Sequence, residues 1–165
     1  MYRAKFVGAD PTDAQLWWTD LFAADLTDET LLRTGFDDAR LTYTRFLRAN
    51  LTDASLIEAS LVKTDFEGAT LTGCNVYGIA AWDVNLGRAT QSSLIIIPPS
   101  DEDPEPTIRV DSLEVAQFIY LLLNNEKLRD VIETMTSTAV LILGNFAPGR
   151  KEVLEAIWER LRERG

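Results

Sequence analysis

Large apolar side chains recur at every fifth residue from Phe6 to Ile96. Of the 19 positions in this register, 16 hold Leu, Phe, Val or Ile, the exceptions being Pro11, Ala81 and Gln91. Two residues before these centres the chain mostly carries Ala, Thr or Cys, as at Ala24, Ala39, Ala49, Thr64 and Cys74. A period of five fits neither the 3.6-residue turn of a helix nor the two-residue alternation of a strand. It calls for a chain that turns at a fixed interval and points one large and one small residue inward at each step.

Four such steps close a square coil of 20 residues. Coils stacked at the strand-pairing distance, about 4.8 Å, satisfy their backbone amides and carbonyls from one coil to the next. The interior then consists of ladders, one running Leu16, Phe36, Leu56, Val76 and Ile96, another Leu21, Leu41, Leu61 and Ala81, a third Leu26, Phe46, Phe66 and Leu86. The second inward position must be small because a narrow square tube has no room for eight large side chains per coil. Glu29 breaks the small column and is expected to swing outward or distort its corner, and Pro11 suits an end coil. After residue 78 the large and small roles blur at Ile79, Ala81, Val84, Gln91 and Leu94, the mark of a final coil adapted to the segment after it.

The units Ala24-Asp25-Leu26, Ala49-Asn50-Leu51, Ala59-Ser60-Leu61, Thr64-Asp65-Phe66 and Cys74-Asn75-Val76 resemble the A-(D/N)-L-x-x signature of pentapeptide repeat proteins over residues 4–97. The resemblance implies an all-β solenoid, a right-handed quadrilateral β-helix, here of about 4.5 coils over that range. It also raises the family's acidic DNA look-alikes that bind DNA gyrase. With 13 acids against 8 bases in residues 1–97, outward arginines such as Arg33, Arg40 and Arg88, and a length of roughly 20 Å, this coil is a poor duplex mimic.

Outward positions show a further bias. The residue after each centre forms two neighbouring columns, Trp17, Asp37, Ile57, Tyr77, Ile97 and Phe22, Thr42, Val62, Trp82. Trp17, Phe22, Ile57, Val62, Tyr77 and Trp82 together make an apolar patch expected to pack against the C-terminal segment, a second subunit or a protein partner, or to form a ligand groove. Trp17-Trp18 reads equally well as a lid on the first coil.

The pattern changes at Pro98, where four prolines and four acids fall within nine residues. The chain therefore divides into a coil over 1–97, a Pro-rich acidic linker over 98–110 and a small helical (α+β) segment over 111–165. Asp111 with Glu114 resembles a capping box opening a first helix, and Leu128, Val131, Ile132 and Met135 mark the stripe of a second. Ala139 to Leu143 reads as a buried strand, and a third helix carries Leu154, Ile157, Trp158 and Leu161 on one face. From Thr138 onward the segment resembles the opening strand and helix of a TIR-like α/β domain. That resemblance implies a regulatory or sensing front part of a larger effector, whose catalytic region lies past Gly165. Gly144, Gly149, Arg150 and Lys151 sit near the spacing of a phosphate-binding loop. The Lys and Ser/Thr that a Walker loop needs are replaced, so they remain phosphate-contact candidates beside the plainer reading of a strand-to-helix turn.

Composition narrows the chemistry. The 165 residues include no histidine and one cysteine, so no histidine base, imidazole metal ligand, internal disulfide or multi-cysteine metal site can be built. No nucleophile is paired with a base, and Asp37-Asp38, Asp65 with Glu67 and the Asp101 to Glu105 run read as solvated acids rather than a metal site. No cofactor is expected, and Cys74 reads as a buried filler. The net charge of -10 disfavours nucleic acid and anionic membranes and leaves room for a basic partner. With no signal-like start and no membrane-length apolar run, the expectation is a non-enzymatic cytoplasmic scaffold acting through protein contacts or self-association.

Overall fold

The computed structural model describes residues 11–97 and 107–136, with side chains through residue 132. Within the first stretch, parallel β-bridges join residues 20 apart without interruption, from Gln15 to Gly35 and onward to Asn75 and Ile95. Each bridged residue directly precedes a position of the five-residue register, so one coil is four bridged sides. The predicted ladders are the core: Leu26, Phe36, Leu41, Phe46, Leu56 and Phe66 are all fully buried. Phe46 and Phe66, one coil apart, stack with centroids 5.1 Å apart and planes within 9°, and Phe36 meets Phe46 edge-on at 5.7 Å.

The five-residue turn has a defined chemistry. The carbonyl of a centre accepts from the amide of the small residue three places on, as in Leu21 to Ala24 at 2.9 Å and Phe36 to Ala39 at 3.0 Å. Of the two residues spanned, the second has positive φ, for example Ala23 at +56°, Tyr43 at +61° and Gly73 at +72°, the pattern of a type II turn. The Asp or Asn before a centre accepts from the first turn amide: Asn50 takes Thr52 N at 3.1 Å, and Asp65 takes Glu67 N at 3.1 Å. That bond explains why the signature prefers these residues there.

Threonine alternates with alanine in the small column for a similar reason. Thr34, Thr44 and Thr64 are fully buried, and their hydroxyls donate to the centre carbonyl one coil below, Pro11, Leu21 and Leu41, at 2.7 to 2.9 Å. Cys74 does the same towards Leu51 O at 3.0 Å. At Glu29 the turn bond to Leu26 O is kept at 3.4 Å, beside 3.3 Å at Thr34, Thr64 and Cys74, so the expected distortion of this corner is not seen in its turn bond.

The end of the coil departs from the sequence reading. Ile108–Val110, within the segment read as linker, forms strand β2 antiparallel to β1 (Leu94–Ile96), with Ile96 opposite Ile108 and Leu94 opposite Val110. β1 thus bridges Asn75 in the coil below through Ile95 and is covered by β2 above. Two short helices come next, α1 (Leu113–Asn124) and α2 (Glu126–Thr136). The N-cap of α1 is Ser112, whose side chain accepts from Val115 N, while Asp111 of the expected capping box instead accepts from Ser93 N at 2.9 Å, tying the helix entry to the coil. Leu113, Ala116, Ile119 and Leu123 on α1 join the same buried cluster as Val76, Ile79, Leu94 and Ile96. Residues 98–106 of the linker and the expected strand and helix after Thr138 lie outside the described residues.

Candidate interaction surface

Turn residues form the corners of the coil and stack in columns held by backbone bonds. Trp18 N donates to Asp37 O at 2.9 Å, Asp38 N to Ile57 O at 2.8 Å and Glu58 N to Tyr77 O at 2.8 Å. One corner therefore carries Trp17, Asp37, Ile57, Tyr77 beside Trp18, Asp38, Glu58, Gly78, and the next carries Phe22, Thr42, Val62, Trp82 beside Ala23, Tyr43, Lys63, Asp83.

The expected patch residues fall on these two corners but do not make one continuous apolar face. Trp17, Phe22 and Trp82 are exposed, whereas Ile57, Val62 and Tyr77 are half-buried. Between the corners the outward side residues are polar or small, Asp20, Arg40, Ser60 and Ala80. Tyr77 meets Tyr120 of α1 edge-on at 4.9 Å, and the amide of Ala81 donates to Gln117 Oε1 at 2.9 Å. Trp17 does not lie across the open end. Its indole nitrogen fills the space that a Cβ at Gly35, one coil on, would need, so the ring runs along the outside of the coil.

Reading only the residue after each centre passes over the second turn column, where Trp18, Tyr43 and Lys63 lie. The same five-step count shifted by one position finds them. Trp18 packs edge-on to Trp17 at 6.1 Å and is 75% exposed. Tyr43 packs edge-on to Phe22 at 5.6 Å, Arg40 lies 4.6 Å over the Phe22 ring, and Lys63 lies 5.4 Å over the Tyr43 ring.

Charge on the outside is organised by the same 20-residue step. Arg33, Arg40, Arg45 and Arg48 pair with Asp13, Asp20, Asp25 and Asp28 of the preceding coil at 2.6, 3.1, 3.5 and 2.5 Å. The hydrogen bond from Arg33 holds the Asp13 carboxyl below its ordinary pKa, the bond from Arg48 does so at Asp28, and the bond from Arg88 at Glu67. These pairs lie at the surface, with Asp25 half-buried, and add little stability. Burial pushes the Cys74 thiol up to about 12, a protonated and unreactive group.

Among the described residues no three potential ligand side chains gather into a metal site, and no helix is long and apolar enough to cross a membrane. Gly144, Gly149, Arg150 and Lys151 lie outside the described residues, as does the TIR-like stretch.

Residues 36–76 match the family model described as pentapeptide repeats, in 8 copies. Among solved structures, the chain is similar to HetL, a pentapeptide repeat protein involved in heterocyst differentiation regulation from the cyanobacterium Nostoc sp. strain PCC 7120. The identity is 28% over 50% of this chain and 40% of HetL, with a TM-score of 0.46. A pentapeptide repeat protein from the Arabidopsis thaliana thylakoid lumen is 24% identical over 50% of this chain and 70% of its own, with a TM-score of 0.34. Rfr23 from the cyanobacterium Cyanothece 51142 is 26% identical over 47% of this chain and 56% of its own, with a TM-score of 0.26. The chain thus spans well under half the length of HetL. No curated protein matches it. Repeats of this family wind as a right-handed quadrilateral β-helix, and such proteins are generally non-enzymatic structural or interaction modules. The 8 matched copies lie within the coil, and the same 20-residue bridging continues on either side of them, so residues 36–76 are similar to pentapeptide repeats and the register they set extends beyond the match.

Proposed function

We propose that this chain is a non-enzymatic scaffold that binds another protein through the aromatic residues at its two neighbouring corners. The observation that carries this reading is the contrast between inside and outside. The coil buries its phenylalanines Phe36, Phe46 and Phe66 completely, yet leaves Trp17, Trp18 and Trp82 exposed at 46%, 75% and 59%. Large aromatics left in water are the residues that dominate protein contacts, because they bury much area at little conformational cost. A coil whose amides bond from turn to turn supplies a rigid frame for them.

The test places a photo-crosslinking residue at Trp18, at Trp82, or at Thr70 on a side of the coil without aromatics, in cells that make the protein. Discrete adducts at Trp18 or Trp82 and none at Thr70 are expected. Adducts equally frequent at all three, or at none, would overturn the reading. Adduct mass separates a second copy of this chain from a different protein.

A further inference from the structure

The two aromatic corners differ in one respect: the paired rings Phe22 and Tyr43 of one hold cations of this chain, and among the described residues the paired rings Trp17 and Trp18 of the other do not. Phe22 lies under Arg40 and Tyr43 under Lys63. Over Trp17 and Trp18 the described residues place no cation. Three of the four corners also carry basic residues, Arg33 on one, Lys63 on the next, Arg48 and Arg88 on the third. The fourth corner, from Trp17 and Trp18 to Tyr77 and Gly78, has no basic residue. In the Trp18 column the next two positions are Asp38 and Glu58, both exposed and, among the described residues, without an ion pair.

We infer that this corner binds an arginine-bearing segment of a partner protein, a statement that rests on the scaffold reading above and adds the chemistry of the partner. A guanidinium is planar and weakly hydrated, so it stacks on an indole while its N–H groups donate to carboxylates at the rim. The column supplies both, with Trp18 as platform and Asp38 and Glu58 one and two coil steps on, about 4.8 and 9.6 Å along the axis. The coil's own excess of acids, 13 against 8 bases in residues 1–97, draws such a segment towards it and repels an acidic one. The coil of a second copy fits poorly, because all the described arginines of the coil are already paired with its own acids.

The experiment uses the full chain and a fluorescent decapeptide of alternating Gly and Arg, monitored by anisotropy at low and high salt. Saturable binding is expected, weakened at least about tenfold by Trp18→Asn and, independently, by Asp38→Asn with Glu58→Gln, and unchanged by Thr70→Ser on a side of the coil without aromatics. Asn tolerates the positive φ of Trp18, +54°, and the ring is 75% exposed, so the first variant keeps the fold. A peptide that does not bind, that binds the corner variants as well as the native chain, or that loses as much to Thr70→Ser overturns the inference. Photo-crosslinks at Trp18 or Trp82 alongside a peptide that fails to bind would sink the arginine assignment alone and leave the scaffold reading standing.

Discussion

Gln91 Oε1 accepts the backbone amide of Leu113, the first residue of α1, at 2.8 Å. The first amides of a helix have no partner within it, and here one is supplied from the coil. Gln91 breaks the five-residue register because its position is where the helix lands, and Ala81, the other late exception, donates its amide to Gln117 of the same helix. Restoring the register should therefore weaken the protein. Gln91→Leu is expected to cost about 1–2 kcal/mol, read from urea unfolding, and to speed hydrogen exchange in the first turn of α1. A variant as stable as the native chain would show that the bond contributes nothing.

The ladder of rings makes a second expectation. Phe46 stacks on Phe66 and meets Phe36 edge-on, with no solvent contact, so Phe46→Ala leaves a cavity that a tube bonded above and below closes poorly. The expected loss is about 3–5 kcal/mol. Leu86, in the same ladder but half-buried near the coil end, should lose visibly less on the same truncation. Equal losses in a denaturant series would argue against a core that is tightest at mid-coil.

These two cases also mark how far the sequence can be read. Counting alone places Phe46 and Phe66 one above the other, because a side chain every five residues and a 20-residue coil leave no other arrangement. Gln91 is recognisable as an exception but not explicable, since its partner is a backbone amide of residue 113, 22 positions on. β2 is hidden for a related reason: three residues after a Pro-rich acidic run have no periodicity of their own, and Ile108–Val110 is a strand only because β1 offers it an edge. Asp111 fails as the cap because Asp111 and Ser112 are equally suited to that role locally, and the tie is broken by Ser93, which takes the aspartate. On the surface, the aromatic corners are legible as columns, whereas the cations over Phe22 and Tyr43 depend on side-chain directions that a column count does not contain.

Alkaline pH should destabilise the fold through one residue. The buried Cys74 thiol is raised to about 12 from an ordinary value of 9.0, so the folded protein holds its proton where the unfolded chain releases it. A group whose folded pKa is raised contributes stability fully below the unfolded value and loses it as pH climbs towards the folded one. Between pH 9 and 12 the loss from this residue is about 1.4 kcal/mol per pH unit. Other groups titrate in the same range, so the quantity to measure is the difference between native protein and Cys74→Ala across that window. Parallel stability curves for the two would refute the assignment, and labelling of Cys74 by a thiol reagent should require opening of the coil.

The turns invert the usual ranking of side chains. At Ala23 φ is +56°, a conformation that costs an L-residue about 1–2 kcal/mol, while glycine adopts it freely. Ala23→Gly relieves that strain but loosens the unfolded chain by about 0.4–1 kcal/mol, so its net effect should be near zero or slightly favourable. Ala23→Val adds a branched Cβ to the same strained geometry and should lose about 1–2 kcal/mol, although valine favours an ordinary strand. Gly73 is the converse case. It has φ +72°, and a Cβ there would displace only the exposed carboxylate of Asp53 in the preceding coil, which can swing aside, so Gly73→Ala should lose about 1–2 kcal/mol through backbone strain, similar to Ala23→Val. Thermal unfolding of the three variants checks the order, and a valine variant at Ala23 more stable than the glycine one would rule out the left-handed turn as the element that sets the five-residue step.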